Sequence, residues 1–126
     1  MIKIKKFLPV SLLVVVALFI GTATARVIPY KASTKEPHSE QALEHAKVAA
    51  VHGKAGHASV LTEHAAVALE HAQAAEQVLG GEAKAHMTEG VAHLMEGVKH
   101  GSMDHADVAT EHVNEAITHL KASISE

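Results

Sequence analysis

Residues 86–119 read HMTEGVAHLMEGVKHGSMDHADVATEHVNEAITH, and this stretch sets the pattern from which the fold can be derived. Its histidines are separated by steps of seven, seven, five, seven and seven residues. An upstream set with the same steps begins at His38, 48 residues before His86 (86 − 38 = 48). The two sets contain all 12 histidines of the chain: His38, His45, His52, His57, His64, His71, His86, His93, His100, His105, His112 and His119.

The offset of 48 residues extends to other residue types, which indicates that a structural unit has been duplicated. We place the two copies near residues 38–79 and 86–124. The matched pairs outside the histidines include Gly53 with Gly101, Val60 with Val108, Thr62 with Thr110, and Ala68 with Ala116.

Each copy is predicted to form a helical hairpin, because its residues favour helix and a glycine follows the third histidine of each set. Leu79-Gly80-Gly81 links the copies, and Asp104 is placed to cap the last helix. Short connections imply antiparallel neighbours. The sequence therefore predicts an all-α fold, an up-down-up-down four-helix bundle made of two duplicated helical hairpins, with helices near 38–52, 57–79, 84–100 and 104–124.

On a helical wheel, one apolar stripe of each helix faces the predicted core, and the histidines form a second stripe to one side. This offset has the same rotational sense on all four helices, so the histidine stripes of antiparallel neighbours converge in alternate gaps. Either helices 1/2 and 3/4 face each other or helices 2/3 and 4/1 do; the hairpin pairs are favoured. The predicted core includes Leu43, Ala46, Leu61, Leu69, Met87, Val91, Leu94, Val98, Val113, Ile117, Leu120 and Ile124.

Two histidines seven residues apart cannot bind one metal ion, because seven residues rise about 10.5 Å along a helix and a metal–imidazole bond is about 2 Å. A second ligand must come from a nearby helical position or from the neighbouring helix. In an antiparallel hairpin, residues at equal height have a constant sum of numbers. His38 with His71, His45 with His64, and His52 with His57 all sum to 109, and the downstream pairs sum to 205. The sequence thus predicts about six rungs of paired imidazoles.

Three carboxylates share the histidine face of the second copy, each three or four residues from a histidine: Glu89, Glu96 and Glu115. They can bind a metal directly or orient an imidazole. The equivalent upstream residues are Gln41, Val48 and Val67, so the stronger sites are expected in the second copy. Imidazole and carboxylate suit copper(II), nickel(II) and zinc(II), with copper(II) expected to bind tightest. Few ligands per rung imply open, exchangeable sites.

The chain is expected to be exported and cleaved. Residues 1–25 resemble a signal peptide, with three lysines, the apolar run 8–20 and an Ala23-Thr24-Ala25 cleavage site. Residues 26–37 are interpreted as a flexible leader and residues 38–126 as the histidine-rich bundle. The apolar run is shorter than the roughly 20 residues of a membrane span, which favours a cleaved signal peptide over the alternative, an uncleaved N-terminal anchor. No stable membrane insertion is expected after cleavage.

Composition excludes several functions. The chain lacks cysteine, which excludes disulfides and thiolate metal sites. Cleavage would remove three of the 11 basic residues and none of the 14 acidic ones, giving 8 − 14 = −6, a charge unsuited to nucleic acid. No H-E-x-x-H motif occurs, and an enzyme is not expected. The alternative to metal binding is a pH-responsive envelope or interaction protein, whose histidines become charged in acid.

The segments EHAKVAAVHGKAGHASVLTEH (44–64) and HLMEGVKHGSMDHADVATEHVNEAITHLKAS (93–123) resemble the small metal-binding protein family of ammonia-oxidising bacteria. The resemblance covers about residues 38–123. It implies a periplasmic monomer that binds several metal ions, prefers copper(II) and acts in copper tolerance, storage or scavenging, with the matching histidines as ligands. In the second turn, HGSMDH, Asp104 replaces the family's glycine and could cap the helix or add a ligand near His100.

Overall fold

The computed structural model describes residues 37–126, which form four α-helices joined by short connections. The all-α prediction is confirmed, and no strand occurs in this part of the chain. The helices are α1 Pro37–Lys54, α2 Ala58–Val78, α3 Gly81–Ser102 and α4 Ala106–Ser125. Relative to the predicted ranges, α1 and α3 extend by up to three residues at each end, and α2 is shorter by one residue at each end. Helix α4 begins two residues later than predicted and ends one residue later.

The predicted signal peptide (1–25) and the leader up to residue 36 lie outside the described residues. Pro37, predicted to end the leader, is instead the first residue of α1, where a missing N–H costs no helical hydrogen bond. None of the helices within residues 37–126 is long and apolar enough to cross a membrane.

The helices pack in the order expected for an up-down-up-down bundle. The most extensive contacts lie within the two hairpins, between α1 and α2 and between α3 and α4. The bundle is closed by contacts of α2 with α3 and of α1 with α4, whereas α2 and α4 touch only slightly across the diagonal. Each helix therefore has one neighbour from its own hairpin and one from the other copy.

Alanine dominates the core, and Leu61, Met87, Leu94, Val113 and Leu120 are its largest fully buried side chains. Most predicted core residues are buried or packed against this cluster. Five of the predicted core residues lie at its margin and are only partly buried: Leu43, Leu69, Val98, Ile117 and Ile124. The small side chains fill the interior, which places the histidines on the outer faces.

Two reciprocal contacts between the copies use residues related by the duplication. A Cβ atom on Gly53 would collide with Oγ1 of Thr110, and one on Gly101 would collide with Oγ1 of Thr62. Gly101 and Thr110 lie 48 residues after Gly53 and Thr62. Each threonine hydroxyl donates to the carbonyl four residues earlier, at 2.8 Å for Thr62 and 2.6 Å for Thr110. Glycine is thus required at both of these contacts between helices of different copies.

Both hairpins turn through the same backbone motif. The N–H of His57 donates to the carbonyl of His52 (2.9 Å), and that of Gly56 donates to Gly53 (2.9 Å). These two bonds, with Gly56 at a φ of 76°, make a Schellman motif. The motif joins two residues five apart in sequence, and both are histidines.

The second turn repeats the motif with an aspartate. His105 donates to the carbonyl of His100 and Asp104 to that of Gly101, both at 3.0 Å. Asp104 has a φ of 61°, a left-handed conformation that aspartate tolerates better than most residues. The prediction that Asp104 caps α4 is wrong, because the N-cap residue of α4 is His105. The side chain of His105 makes no capping hydrogen bond. Asp104 instead follows α3, as the left-handed residue directly after the C-cap Met103.

Because a Cβ at Gly101 would collide with Thr62, replacing this helical glycine by alanine should lower the free energy of unfolding, the opposite of the usual effect. Gly101→Ala should destabilise the protein by about 1–3 kcal/mol, because the added methyl collides with Thr62, whereas alanine normally stabilises a helix interior relative to glycine. Combining it with Thr62→Ala should recover most of this loss. Urea denaturation of both single variants and the double variant measures the effect. A stabilising Gly101→Ala would contradict the close contact.

The left-handed residue of each turn gives a second, paired prediction. Asp104→Gly should stabilise the protein by up to about 1 kcal/mol, since glycine removes a cost of roughly 1–2 kcal/mol but adds freedom to the unfolded chain. Gly56→Asp, which copies the second turn into the first, should destabilise it. Thermal unfolding of both variants measures the effect, and a change of the same sign in both would contradict the assigned turn geometry.

Candidate metal centre

The histidines lie in two of the four gaps between adjacent helices. Those of α1 face those of α2, and those of α3 face those of α4. The hairpin alternative is therefore the observed one, and facing histidines between α2 and α3 or between α4 and α1 do not occur among residues 37–126. We call His38, His45, His52, His57, His64 and His71 the first histidine array. We call His86, His93, His100, His105, His112 and His119 the second histidine array.

All six predicted rungs are present as ring contacts. Their centroids lie 5.3–6.0 Å apart, and their ring planes are inclined by 25–37°. The rungs are His38–His71, His45–His64 and His52–His57 in the first array, and His86–His119, His93–His112 and His100–His105 in the second.

The prediction of separate rungs is incomplete, because the rings also contact each other diagonally. Diagonal centroids are 5.4–5.8 Å apart, and these ring planes are closer to parallel, at 6–16°. Each array is thus a continuous zigzag of six imidazoles. The diagonal pairs are His45–His71, His52–His64, His93–His119 and His100–His112.

The direction of side chains on a helix explains the zigzag. Side chains lean toward the N-terminus of their own helix, so those of antiparallel neighbours lean in opposite directions. A ring on one helix then lies between two rings on the other, about half of the 10.5 Å repeat from each. The sums of residue numbers give the heights of the backbone positions only. They do not include the displacement of the rings that this lean causes.

The arrays are accessible along their length. His38, His57 and His105, at array ends, are exposed, and the other nine histidines are partly buried. In two rungs, Nδ1 atoms face each other, at 3.0 Å between His38 and His71 and 3.4 Å between His93 and His112. Two nitrogen ligands of one tetrahedral ion, with bonds of about 2.0–2.1 Å, lie about 3.3 Å apart. These rungs therefore have the ligand spacing of a shared ion.

One group in residues 37–126 combines two imidazoles with a carboxylate. Ligand atoms of Glu96, His100 and His112 lie within 4.8 Å of one another, and all three residues are partly buried. Oε2 of Glu96 is 3.8 Å from Nε2 of His100. Nδ1 of His100 is buried and has no hydrogen-bond partner among the described residues, so Nε2 is the nitrogen that an ion can reach. The histidines are a diagonal pair, not a rung.

Lys99 is a part of this group that the sequence interpretation missed, although its spacing of three residues from Glu96 is that of a helical ion pair. Its ammonium donates to Oε2 of Glu96 at 3.0 Å. This hydrogen bond and the charge of Lys99 lower the pKa of Glu96. Burial opposes them, and His100 and His112 add the weakest lowering effects. The carboxylate therefore stays ionised, as a metal ligand must be.

The other proposed acidic ligands are not in a three-ligand group. Glu89 and Glu115 are exposed, and Asp104 is exposed at the end of α3. The equivalent positions of the first array have no carboxylate to contribute. They are Gln41 and Val48, which are exposed, and Val67, which is partly buried.

No curated protein matches this chain significantly. The family model described as "Small metal-binding protein" matches residues 6–123, which includes both histidine arrays. The chain therefore belongs to the small metal-binding protein family.

Proposed function

We propose that this protein binds several divalent metal ions reversibly, prefers copper(II), and acts as an exported buffer or scavenger of these ions. The observation that carries the proposal is the pair of continuous imidazole arrays, one along each hairpin. Membership of the small metal-binding protein family and the Glu96–His100–His112 group support the metal-binding part of it.

The distribution of ligands favours several ions over one. Each array extends over three heptad levels, and positions seven residues apart are about 10.5 Å apart along the helix, too far to share an ion. Neighbouring rings from opposite helices are the pairs that can bind together. An array therefore supplies successive two-histidine sites rather than one chelating centre.

The shape of the arrays favours exchange over permanent retention. Two imidazoles, or two with one carboxylate, leave coordination positions for water on copper(II) or zinc(II). Structural metal sites are in contrast closed by four protein ligands. The bundle also has an apolar core independent of the arrays, so an ion is not needed to hold the helices together.

The ligand types favour copper(II). Imidazole nitrogen and carboxylate oxygen bind copper(II), nickel(II) and zinc(II), and affinity at such sites rises toward copper(II) in the series. The chain contains no cysteine, whose thiolate would favour copper(I). We further propose that the second array binds more tightly than the first, because Glu96 completes a site there while Val48 occupies the equivalent position upstream.

The proposed location follows from the N-terminal sequence. Residues 1–25 have the charge and apolar pattern of a signal peptide, which would deliver the bundle to the periplasm. We propose that it acts there as a monomer, as the resemblance to the small metal-binding protein family implies. The net charge of −6 calculated above for the cleaved chain (8 − 14) would attract cations to it. No catalytic motif was found, so we propose a binding role and not an enzymatic one.

Calorimetric titration of the chain from residue 26 onward, with copper(II), nickel(II) and zinc(II) in separate experiments at neutral pH, tests this function. We expect more than two copper(II) ions per chain and the highest affinity for copper(II). Affinity should fall on acidification, because protons compete for the same imidazole nitrogens. Saturating copper(II) should also raise the melting temperature by mass action.

Metal analysis of the dialysed complex provides the control for stoichiometry. Binding of fewer than two ions would contradict the proposal and would favour the pH-responsive alternative. Under that alternative, acid alone would change the association state without any metal.

A further inference from the structure

The hairpin of α3 and α4 has a local twofold symmetry that is visible in its ring contacts. Adding 19 to a residue number maps His86, His93 and His100 of α3 onto His105, His112 and His119 of α4. The rung His86–His119 (5.9 Å, 37°) maps onto His105–His100 (6.0 Å, 32°). The diagonal His93–His119 (5.6 Å, 14°) maps onto His112–His100 (5.4 Å, 11°). The second array is therefore symmetric to within a few degrees.

The same operation relates two of the carboxylates. Glu96 maps onto Glu115 (96 + 19 = 115), and each glutamate precedes a histidine of its helix by four residues, His100 and His119 respectively. The group Glu96–His100–His112 thus has a counterpart in which every ligand type is kept. That counterpart is Glu115–His119–His93.

We propose that Glu115, His119 and His93 form a second divalent metal site, the symmetric partner of the Glu96–His100–His112 site. The proposal rests on the proposed metal binding and adds which side chains share an ion. The ion at each site is held by a diagonal histidine pair together with the carboxylate four residues before one of its members.

The present position of Glu115 is compatible with this role. Its side chain is exposed, so it can reorient without disturbing the core. Glu96 shows that a glutamate four residues before a histidine reaches that histidine from the same helix, with 3.8 Å between Oε2 and Nε2. Glu89 also precedes His93 by four residues, so a further carboxylate shares the helix face of this diagonal pair.

The diagonal sites compete with rung sites for the same rings. His93 and His112 belong to different diagonal sites, yet their Nδ1 atoms are 3.4 Å apart and could bind one ion between them. The arrangement that places a carboxylate beside the ion is favoured over the other, because the carboxylate adds a negative charge and a third ligand. The three-ligand group seen in residues 37–126 joins Glu96 to a diagonal pair, which favours the diagonal arrangement.

The first array has the same ring zigzag without these carboxylates. Val48 and Val67 stand 48 residues before Glu96 and Glu115. Its diagonal pairs His45–His71 and His52–His64 therefore lack the third ligand. The two acid-completed sites are confined to the second array, and we expect two of the bound ions to be held more tightly than the rest.

Competition titration of the protein with copper(II) against a chelator, together with electron paramagnetic resonance of the bound copper(II), tests the second site. Glu115→Gln should weaken one of the two tight ions on the order of tenfold or more and should change its resonance signal. Glu111→Gln is the matched control, since it removes the same charge from an exposed position of the same helix. Circular dichroism verifies that each variant keeps its helices.

Combined variants show which ligands share an ion. In a protein that already carries His119→Gln, Glu115→Gln should change the copper(II) affinity little further. In a protein that carries His100→Gln, Glu115→Gln should weaken copper(II) binding by its full amount. The opposite pattern, or a Glu115→Gln variant identical to Glu111→Gln, overturns the second site while leaving metal binding itself intact. Absence of multiple binding in the unmodified protein overturns the proposed function as well.

Discussion

A hydrogen bond between the backbones of two histidines closes each hairpin, and the geometry of both arrays depends on it. The N–H of His57 donates to the carbonyl of His52, and that of His105 donates to the carbonyl of His100. The turn that makes this bond has five steps in sequence, which brings one histidine of each helix to the same height. On both helices the histidines farther from the turn follow at intervals of seven residues. Each of them therefore has a partner at the same height on the other helix. A turn longer by one residue would move every ring of one helix relative to the other.

The bundle provides a rigid support and keeps its interior free of ligands. Its core consists mainly of alanine, and glycines contact threonines where the two copies meet. No histidine or carboxylate is buried in the core of residues 37–126. The histidines therefore lie in the outer groove of each hairpin, where ions and water have access.

The sequence predicts the helices, the hairpins and the levels of the histidines, because all of these follow from residue spacing. It does not predict the diagonal contacts, since these depend on how far side chains lean along antiparallel helices. Residue type alone also did not predict the left-handed conformation of Asp104, because aspartate is a favoured N-cap residue as well. The ion pair of Lys99 with Glu96 was predictable from spacing alone.

Duplication has produced two arrays with one ring geometry and different chemistry. The rings of α1 and α2 repeat the zigzag of α3 and α4 at similar distances, and the largest difference is 0.6 Å, between 5.3 Å for His38–His71 and 5.9 Å for His86–His119. In contrast, only the second copy has carboxylates on the helix face that carries its histidines. A protein that combines sites of different strength can bind ions over a wider range of concentration than one with identical sites. This division is consistent with a role in buffering.

The central claim is that each hairpin groove binds several ions between histidines of its two helices. Anomalous diffraction at the copper absorption edge, from crystals of the copper(II)-loaded protein, tests it most directly. The account predicts several anomalous peaks along the groove of α1 and α2 and along that of α3 and α4, each beside imidazoles of both helices. A single peak, or peaks in the gaps between α2 and α3 or between α4 and α1, would contradict it.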